Sequence, residues 1–513
     1  MDKKRSILNV GVSIAFKFVM LIGSILVRRY LIKYVGNEIN GLNSLYLSIV
    51  GFLSVAELGV GSAITFCMYK PIVEKDNAKV AALYQLFRKA YLVIGAVIFS
   101  AGIIILPILP YLAKDYTTLD INLYGTFFLM LVSVVLSYMF SAKTSLINAY
   151  KDNYITTTIS STGMVLQYVL QIVTLILTRS FVWYLVCRSF AIIAQWFATE
   201  IVARAGHKDI ITYEKQKLDG ETKTQVIKNV KALFMHRIGG VLVNSSDSMI
   251  ISAFIGVVML GKYSNYTTIV TSMSGVISLF FSPLTSVIGH MYVSETEQTK
   301  KYYNFFYAFN FVIGTVFFLG YYAVADNLVT LLFGADLEVS KSVSFVITVN
   351  YFIQFMRQAT LLFRDATGTF YYDRWKPLFE GLLNIVLSVA FVIVFTEKFG
   401  ESFGVVGVIL ATILTNLTIC HIVEPYVLYR HAFHASVRPH LVKNYIYIGI
   451  FVVTLIILNF CMRSFENQWL EFIVNGCLSL AFSSVIIILT ILFDKDFRFY
   501  CKSFALKLKN RIF

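Results

Sequence analysis

Charge is what this chain has least of. Charged side chains make up 14% of its 513 residues, where a soluble domain carries about 25%, so water is not its main solvent. The apolar residues, 57% of the chain, gather into blocks of roughly 20 to 28, each long enough to cross a hydrocarbon layer of about 30 Å at 1.5 Å per residue. The blocks also lack the alternation of a barrel strand, and backbone groups cannot stay unpaired in lipid. Both points select helices.

Cysteine is sparse and scattered. Cys67, Cys187, Cys420, Cys461, Cys477 and Cys501 form no C-x-x-C pair, which leaves no framework for disulfides or a metal and makes them small packing residues. His431, His434 and His440 do cluster, but beside Arg430 and Arg438 at a helix end, a setting for an interfacial role and not for metal. No cofactor is expected. A small-residue cleavage site is missing after Lys3, Lys4, Arg5 and the long apolar run that follows, so this run is read as the first membrane helix and not as a signal peptide. The net charge of +15 does not point to nucleic acid, because the basic residues lie between apolar blocks and form no face on a soluble domain.

The expected fold is an all-α polytopic membrane protein with about fourteen transmembrane helices. They are placed at 6–33, 40–68, 89–113, 121–145, 155–178, 181–203, 229–256, 263–290, 303–325, 341–364, 377–396, 404–429, 442–462 and 469–493. With the N-terminus inside, about 31 of the 44 Lys and Arg residues fall on the inner side and about 9 on the outer. Both termini are therefore expected in the cytoplasm. The longest polar stretch, Arg204 to Lys228, reads as a cytoplasmic linker at 204–228 between a six-helix lobe at 1–203 and a second at 229–430. Two helices and a basic tail at 431–513 are appended.

The two halves look related. Slid by 220 positions, Gly41, Ser44, Tyr46, Ile49 and Val50 lie over Gly261, Ser264, Tyr266, Ile269 and Val270, and Asn9-Val10 lies over Asn229-Val230. Six helices per half would relate the lobes by an axis along the membrane normal, an arrangement that puts a substrate path between them.

Polar residues inside apolar blocks are expensive, about 2.5 to 3.5 kcal/mol for a charge at mid-membrane, so they mark cavities or partners. In the first helix Ser13, Lys17, Ser24 and Arg28 share one face, with Arg29 beside it. The second carries Asn43, Ser54 and Glu57 on one side. The seventh carries His236, Gly240, Val243 and Asp247 on a face, with Arg237 adjacent and lying over Lys17 at the repeat offset. The eighth carries a stripe of Thr271, Gly275, Ser278, Ser282 and Ser286 with Pro283 as a hinge. Arg188 and Gln195 mark the sixth helix, Asn350, Gln354 and Arg357 the tenth, Glu380 and Asn384 the eleventh. The bland readings are snorkelling for Arg28 and Arg29, an interfacial place for Arg237, Arg364 and Glu380, helix-to-helix pairing for Glu57 and Asp247, and packing for the Ser and Gly stripes. The functional reading is that embedded cations outnumber embedded acids and line a wet cavity for an anionic ligand. Arginine's planar fork suits phosphate or carboxylate oxygens, and a lipid pyrophosphate carrying a bulky sugar fits that chemistry.

Three stretches carry a family likeness: Arg29 to Ile64 with the run Ala56-Glu57-Leu58-Gly59-Val60-Gly61-Ser62-Ala63; Asp247 to Tyr266 with Tyr263-Ser264-Asn265-Tyr266; and Arg364 to Asn384 with Asp373-Arg374, Lys376-Pro377 and Glu380. In these and in its fourteen-helix plan the chain resembles Wzx-type polysaccharide flippases of the multidrug/oligosaccharidyl-lipid/polysaccharide exporter superfamily. The resemblance implies alternating access and outward movement of a polyprenyl-pyrophosphate-linked repeat unit across the bacterial cytoplasmic membrane for capsule or exopolysaccharide assembly. It also implies membrane lipids and a polysaccharide polymerase complex as partners, cavity cations on the anionic head, and appended helices that help seat the lipid tail. Lys17, Arg28, Arg29, Arg188, Arg237 and Arg357 are the expected substrate-binding residues, and Glu57 and Asp247 the expected coupling or gating acids. All but Arg29 among those cations rest on their place in the helices, not on a matching motif.

Two rivals remain. A drug or metabolite exporter of the same superfamily would line its cavity with acids if its cargo were cationic. A membrane polysaccharide polymerase or glycosyltransferase would need a sizeable polar loop for catalytic groups, whereas the longest outer loop is about 15 residues, with Asp326, Asp336 and Glu338 in no metal pattern. An enzyme is therefore not expected.

Overall fold

Each apolar block closes its backbone hydrogen bonds within itself, the only solution open to a single segment in lipid, and the chain is a succession of helices with no strand among the described residues. The computed structural model describes the backbone of residues 3–57, 60–214, 216, 218, 220–281 and 284–512. Side chains at 3–15, 56, 62, 225, 229, 231–240, 243, 244, 276, 278–280, 286, 296 and 504–512 lie outside that description. In order the helices are α1 Lys3–Val35, α2 Asn37–Leu53, α3 Val60–Val73, α4 Asn77–Ile105, α5 Leu109–Leu112, α6 Leu123–Ala149, α7 Asn153–Thr178, α8 Phe181–Ile211, α9 Gly220–Phe254 and α10 Val257–Phe281. They continue with α11 Leu284–Ser294, α12 Thr296–Phe333, α13 Lys341–Thr367, α14 Lys376–Phe399, α15 Glu401–Thr415, α16 His421–His431, α17 Arg438–Cys461, α18 Gln468–Phe493 and α19 Lys495–Ile512.

Among the described residues nine helical stretches are long and apolar enough to cross a membrane, and the chain is a multi-pass membrane protein. The expected spans at 6–33, 40–68, 229–256, 263–290 and 341–364 are helical but fall outside those nine. The reason in α13 is plain: Ser344, Thr348, Asn350 and Thr360 are buried inside the protein, so its polar side never meets lipid. The expected span 40–68 is broken into α2, a 3-10 turn at Ser54–Glu57 and α3. The expected linker is largely helical too. α8 runs on to Ile211 with a kink at His207, whose ring packs on Tyr150 at 4.3 Å, and α9 begins at Gly220.

Local chemistry sets the helix ends. The Asp76 carboxylate accepts from Lys79 N–H at 2.9 Å and the Asn122 side chain from Gly125 N–H at 2.8 Å, each satisfying a donor the helix cannot. Gly36 and Gly256, 220 positions apart, both have positive φ, 113° and 135°, a conformation that strains any residue with a Cβ. Their N–H groups close the preceding helices in the same way, on Leu31 and Ile251 carbonyls at 3.3 and 3.0 Å.

By contacts the chain forms two compact units, Met1–Ser264 and Asn265–Phe513. In the first, α6 packs between α4 and α8, α7 lies between α1 and α8, and α9 lies on α2 and α3. The repeat-related segments meet reciprocally here. A Cβ at Gly41 would fall 1.9 Å from the Val257 carbonyl oxygen, and one at Gly261 would fall 2.5 Å from the Asn37 carbonyl oxygen. Asn37 and Val257 are again 220 apart, so the two glycines do the same work for the same neighbour, letting backbones touch.

In the second unit α12 is central, flanked by α13 and α18, with α14 and α15 paired and α19 lying on α12 and α18. Stacked rings fill it: Phe352 on Phe451 at 3.6 Å and Phe311 on Tyr447 at 4.0 Å. His440, expected at the interface, is instead buried, its Nε2 3.3 Å from the Tyr303 hydroxyl and its ring against Tyr307. The helix that carries it turns this side toward the aromatic core. His431 stacks on Tyr372 at 3.7 Å.

Candidate functional site

The first unit gathers cations around tyrosines. Gly23 on α1 has no side chain, and a Cβ there would sit 2.4 Å from the Tyr168 ring of α7. That contact brings α1 close to α7, which packs on α8. Arg28, one and a half turns along α1, donates from Nη1 to the Ser264 hydroxyl at 2.9 Å, and its charge interacts with Tyr184 on α8. Arg188, one turn beyond Tyr184, interacts with Tyr184 and Tyr168. Both guanidinium groups thus lie within electrostatic reach of Tyr184.

Arg188 is the unusual member. Its Nε is buried and has no hydrogen-bond partner, and among the described residues no carboxylate pairs with it. A sealed donor that goes unused costs about 1–3 kcal/mol, so the arrangement on this half-buried guanidinium suits an anion supplied from outside.

The second unit treats its cation differently. Arg357 on α13 donates to Glu424 on α16, Nη2 to Oε1 at 2.6 Å and Nε to Oε2 at 3.2 Å. It also donates to Glu380 at 3.3 Å and to Asn416 at 2.6 Å. Lys376, at the start of α14, joins the same carboxylates, at 2.5 Å from Glu424 and 3.1 Å from Glu380. Two cations meet two acids. Arg357 therefore departs from the expectation of a surplus cation, because Glu424 on α16 balances it. A π-helical turn at Asn416–Cys420 accompanies the network, as such bulges often do at polar sites. Asn416 opens it, donating back to the Thr412 carbonyl at 2.9 Å.

The remaining expected residues are dispersed. Lys17 and Arg29 are exposed on α1, about 18 Å apart along the axis at 1.5 Å per residue. Glu57 sits on the 3-10 turn and accepts from the Tyr91 hydroxyl at 2.9 Å. Asp247 is buried on α9. The Arg237 side chain lies outside the described residues, as do those of His236, Ser278, Ser282, Pro283 and Ser286. Arg364 closes the α13–α14 connection on Asp373 at 2.8 Å, beside Gly368 with its positive φ of 71°. Sequence reasoning passed over Glu424 and the tyrosines at 168 and 184. An acid at the polar end of an apolar helix reads as a boundary, and a tyrosine reads as packing.

No family model and no curated protein matches the chain. Solved structures do. An inward-facing multidrug resistance MATE family transporter of the MOP superfamily aligns with TM-score 0.62 and 14% identity, over 79% of this chain and 96% of that one. The lipid II flippase MurJ in an inward closed conformation aligns with TM-score 0.60 and 13% identity, over 94% of this chain and 99% of that one. A MOP superfamily transporter from Pyrococcus furiosus aligns with TM-score 0.52 and 13% identity, over 84% and 97%. This multi-pass chain accordingly shares the fold of those solved structures.

Proposed function

We propose that the chain is a flippase that carries polyprenyl-pyrophosphate-linked oligosaccharide repeat units from the cytoplasmic to the outer leaflet by alternating access. The observation that carries this reading is Arg188, a half-buried cation whose Nε is sealed and unbonded and which no acid pairs among the described residues, with Arg28 in electrostatic reach of the same Tyr184. A pyrophosphate supplies the missing acceptors and charge. Lys17, Arg29 and Arg237 are the further cations of the path. Glu57 and Asp247 are the acids that couple or gate it, and Arg357 holds the second unit together. The lobes of the proposal are 1–203 and 229–430, joined by 204–228, with 431–513 appended, fourteen spans and both termini cytoplasmic. The similarity to a lipid II flippase over 94% of this chain supports a lipid-linked cargo. An inside-negative potential would drive an anionic head outward, at about 2.3 kcal/mol per charge per 100 mV.

The second reading, a drug or metabolite exporter, is favoured by the similarity to a multidrug resistance transporter. Conditional depletion of the protein separates the two. The flippase reading expects lipid-linked sugar stranded on the cytoplasmic leaflet and reduced surface polysaccharide. Unchanged polysaccharide with no stranded intermediate, together with sensitivity to cationic compounds, refutes it in favour of the exporter.

A further inference from the structure

α6, α7 and α8 line a half-open pocket of about 250 Å³ within the first unit, apart from Arg28 and Arg188. Its polar lining is Thr144 and Asn148 from α6, Thr156, Thr157 and Ser160 from α7, and Gln195 and Thr199 from α8. Among the described residues no charged side chain lines it. Within lipid-spanning helices such a concentration of hydroxyls and amides is expensive unless something polar meets it.

Much of that lining is idle. Thr156 donates to Asn148 Oδ1 at 2.6 Å, and Thr144 and Ser160 bond to backbone carbonyls at 3.3 and 3.1 Å. The Gln195 amide, the Thr157 and Thr199 hydroxyls and the Asn148 Nδ2 have no hydrogen-bond partner among the described residues, and none is sealed from access. Gln195 is also set in place. A Cβ at Gly163 would fall 2.2 Å from its side chain, so the missing side chain on α7 makes its seat.

The chemistry narrows the ligand. A phosphate would want cations and a metal ion would want carboxylates, and the pocket has neither. Uncharged donors and acceptors in alternation, beside the Phe140 ring that also lines the pocket, match the hydroxyls and C–H faces of a sugar. Position narrows it further. Arg188, Gln195 and Thr199 fall on one face of α8, within about 40° of each other, with Arg188 about 10 Å from Gln195 along the axis.

We propose that this pocket is a neutral-sugar subsite, holding a ring of the oligosaccharide while Arg188 holds the pyrophosphate. The proposal rests on the flippase reading and deepens it. The two parts of one face then match the two parts of one substrate, charged head and uncharged ring, and selectivity against acidic sugars follows from a lining with no cation.

The test is binding of defined lipids to the full-length protein in detergent, read by native mass spectrometry. The probes are polyprenyl pyrophosphate bare, or carrying one N-acetylglucosamine, one galactose or one glucuronate. The wild type should bind at least one neutral-sugar form roughly 10-fold tighter than the bare lipid, the worth of one or two neutral hydrogen bonds, and the glucuronate form no tighter than the bare lipid. The near-isosteric double variant Gln195→Met with Thr157→Val should bring that preference below about threefold, with bare-lipid binding and melting temperature unchanged. Arg188→Ala should weaken every form alike. Equal wild-type binding of bare and sugar-bearing lipids, or a full preference in the double variant, overturns the subsite and leaves the flippase reading standing. Failure of the wild type to bind even the bare pyrophosphate lipid overturns the flippase reading, and the subsite with it.

Discussion

Glu424 grips Arg357 through two hydrogen bonds at once, Nη2 to Oε1 at 2.6 Å and Nε to Oε2 at 3.2 Å. Such a fork-to-carboxylate pair fixes geometry as well as charge. With Glu380 and Lys376 it makes a neutral quartet joining α13, α14 and α16.

Removing one charge from that quartet leaves another uncompensated. Glu424→Gln should lower the stability of the protein by about 3 to 5 kcal/mol, measured as a fall in melting temperature in detergent. Adding Lys376→Met to it restores the balance between Arg357 and Glu380, and part of the loss should return. A double variant no more stable than the single one contradicts the balance argument.

Arg188 should behave in the opposite way. Its buried Nε has nothing to bond, so Arg188→Ala should leave expression and melting temperature unchanged or raised while transport falls by roughly 10- to 100-fold, the worth of a charge-assisted hydrogen bond. Arg188→Lys, which keeps the charge but not the fork, should fall between. A destabilised Arg188→Ala protein would mark the residue as structural.

Close backbone approach predicts steric losses at matching places in the repeat. Gly41→Ala and Gly261→Ala each press a Cβ into a carbonyl oxygen that cannot move away as a side chain would, at about 1 to 3 kcal/mol each. Gly449 on α17 has nothing within 4 Å of its missing Cβ, so Gly449→Ala should be neutral or gain about 0.5 to 1 kcal/mol from helix propensity. Thermal melts of the three variants compare them directly.

Asp494, between α18 and α19, provides a pH dependence. Burial pushes its carboxyl up, but the paired Lys443 ammonium, the Tyr447 hydroxyl at 2.6 Å and the Phe497 N–H at 2.9 Å outweigh that and hold it below the usual aspartate range. A depressed carboxylate contributes stability above its unfolded value, about 3.9, and loses it as pH falls through the lower folded value. The melting-temperature gap between wild type and Asp494→Asn should therefore be constant at neutral pH and close in the acid range. A gap that widens on acidification would contradict the sign.

Much of this was legible in the chain itself. Helices, their approximate ends and the polar marks inside them follow from local periodicity and from what lipid forbids, so α7 at 153–178 and α18 at 468–493 lie within two residues of expectation. The 220-residue offset is readable in Gly41 and Gly261, while the backbone each one touches is not. The kink at His207, the π-helical turn at Asn416 and the burial of His440 were not readable, since each answers a neighbour distant in sequence.

The same division holds for the cations. Sequence alone placed Arg188 and Arg357 inside expected spanning helices, because transfer cost depends only on residue type and local surroundings. Only the tertiary structure decided that Arg357 is answered by Glu424 from a helix some sixty residues on, while Arg188 meets tyrosines and keeps a donor to spare. Whether a buried charge is free or balanced is a property of pairs, and pairs are made by packing.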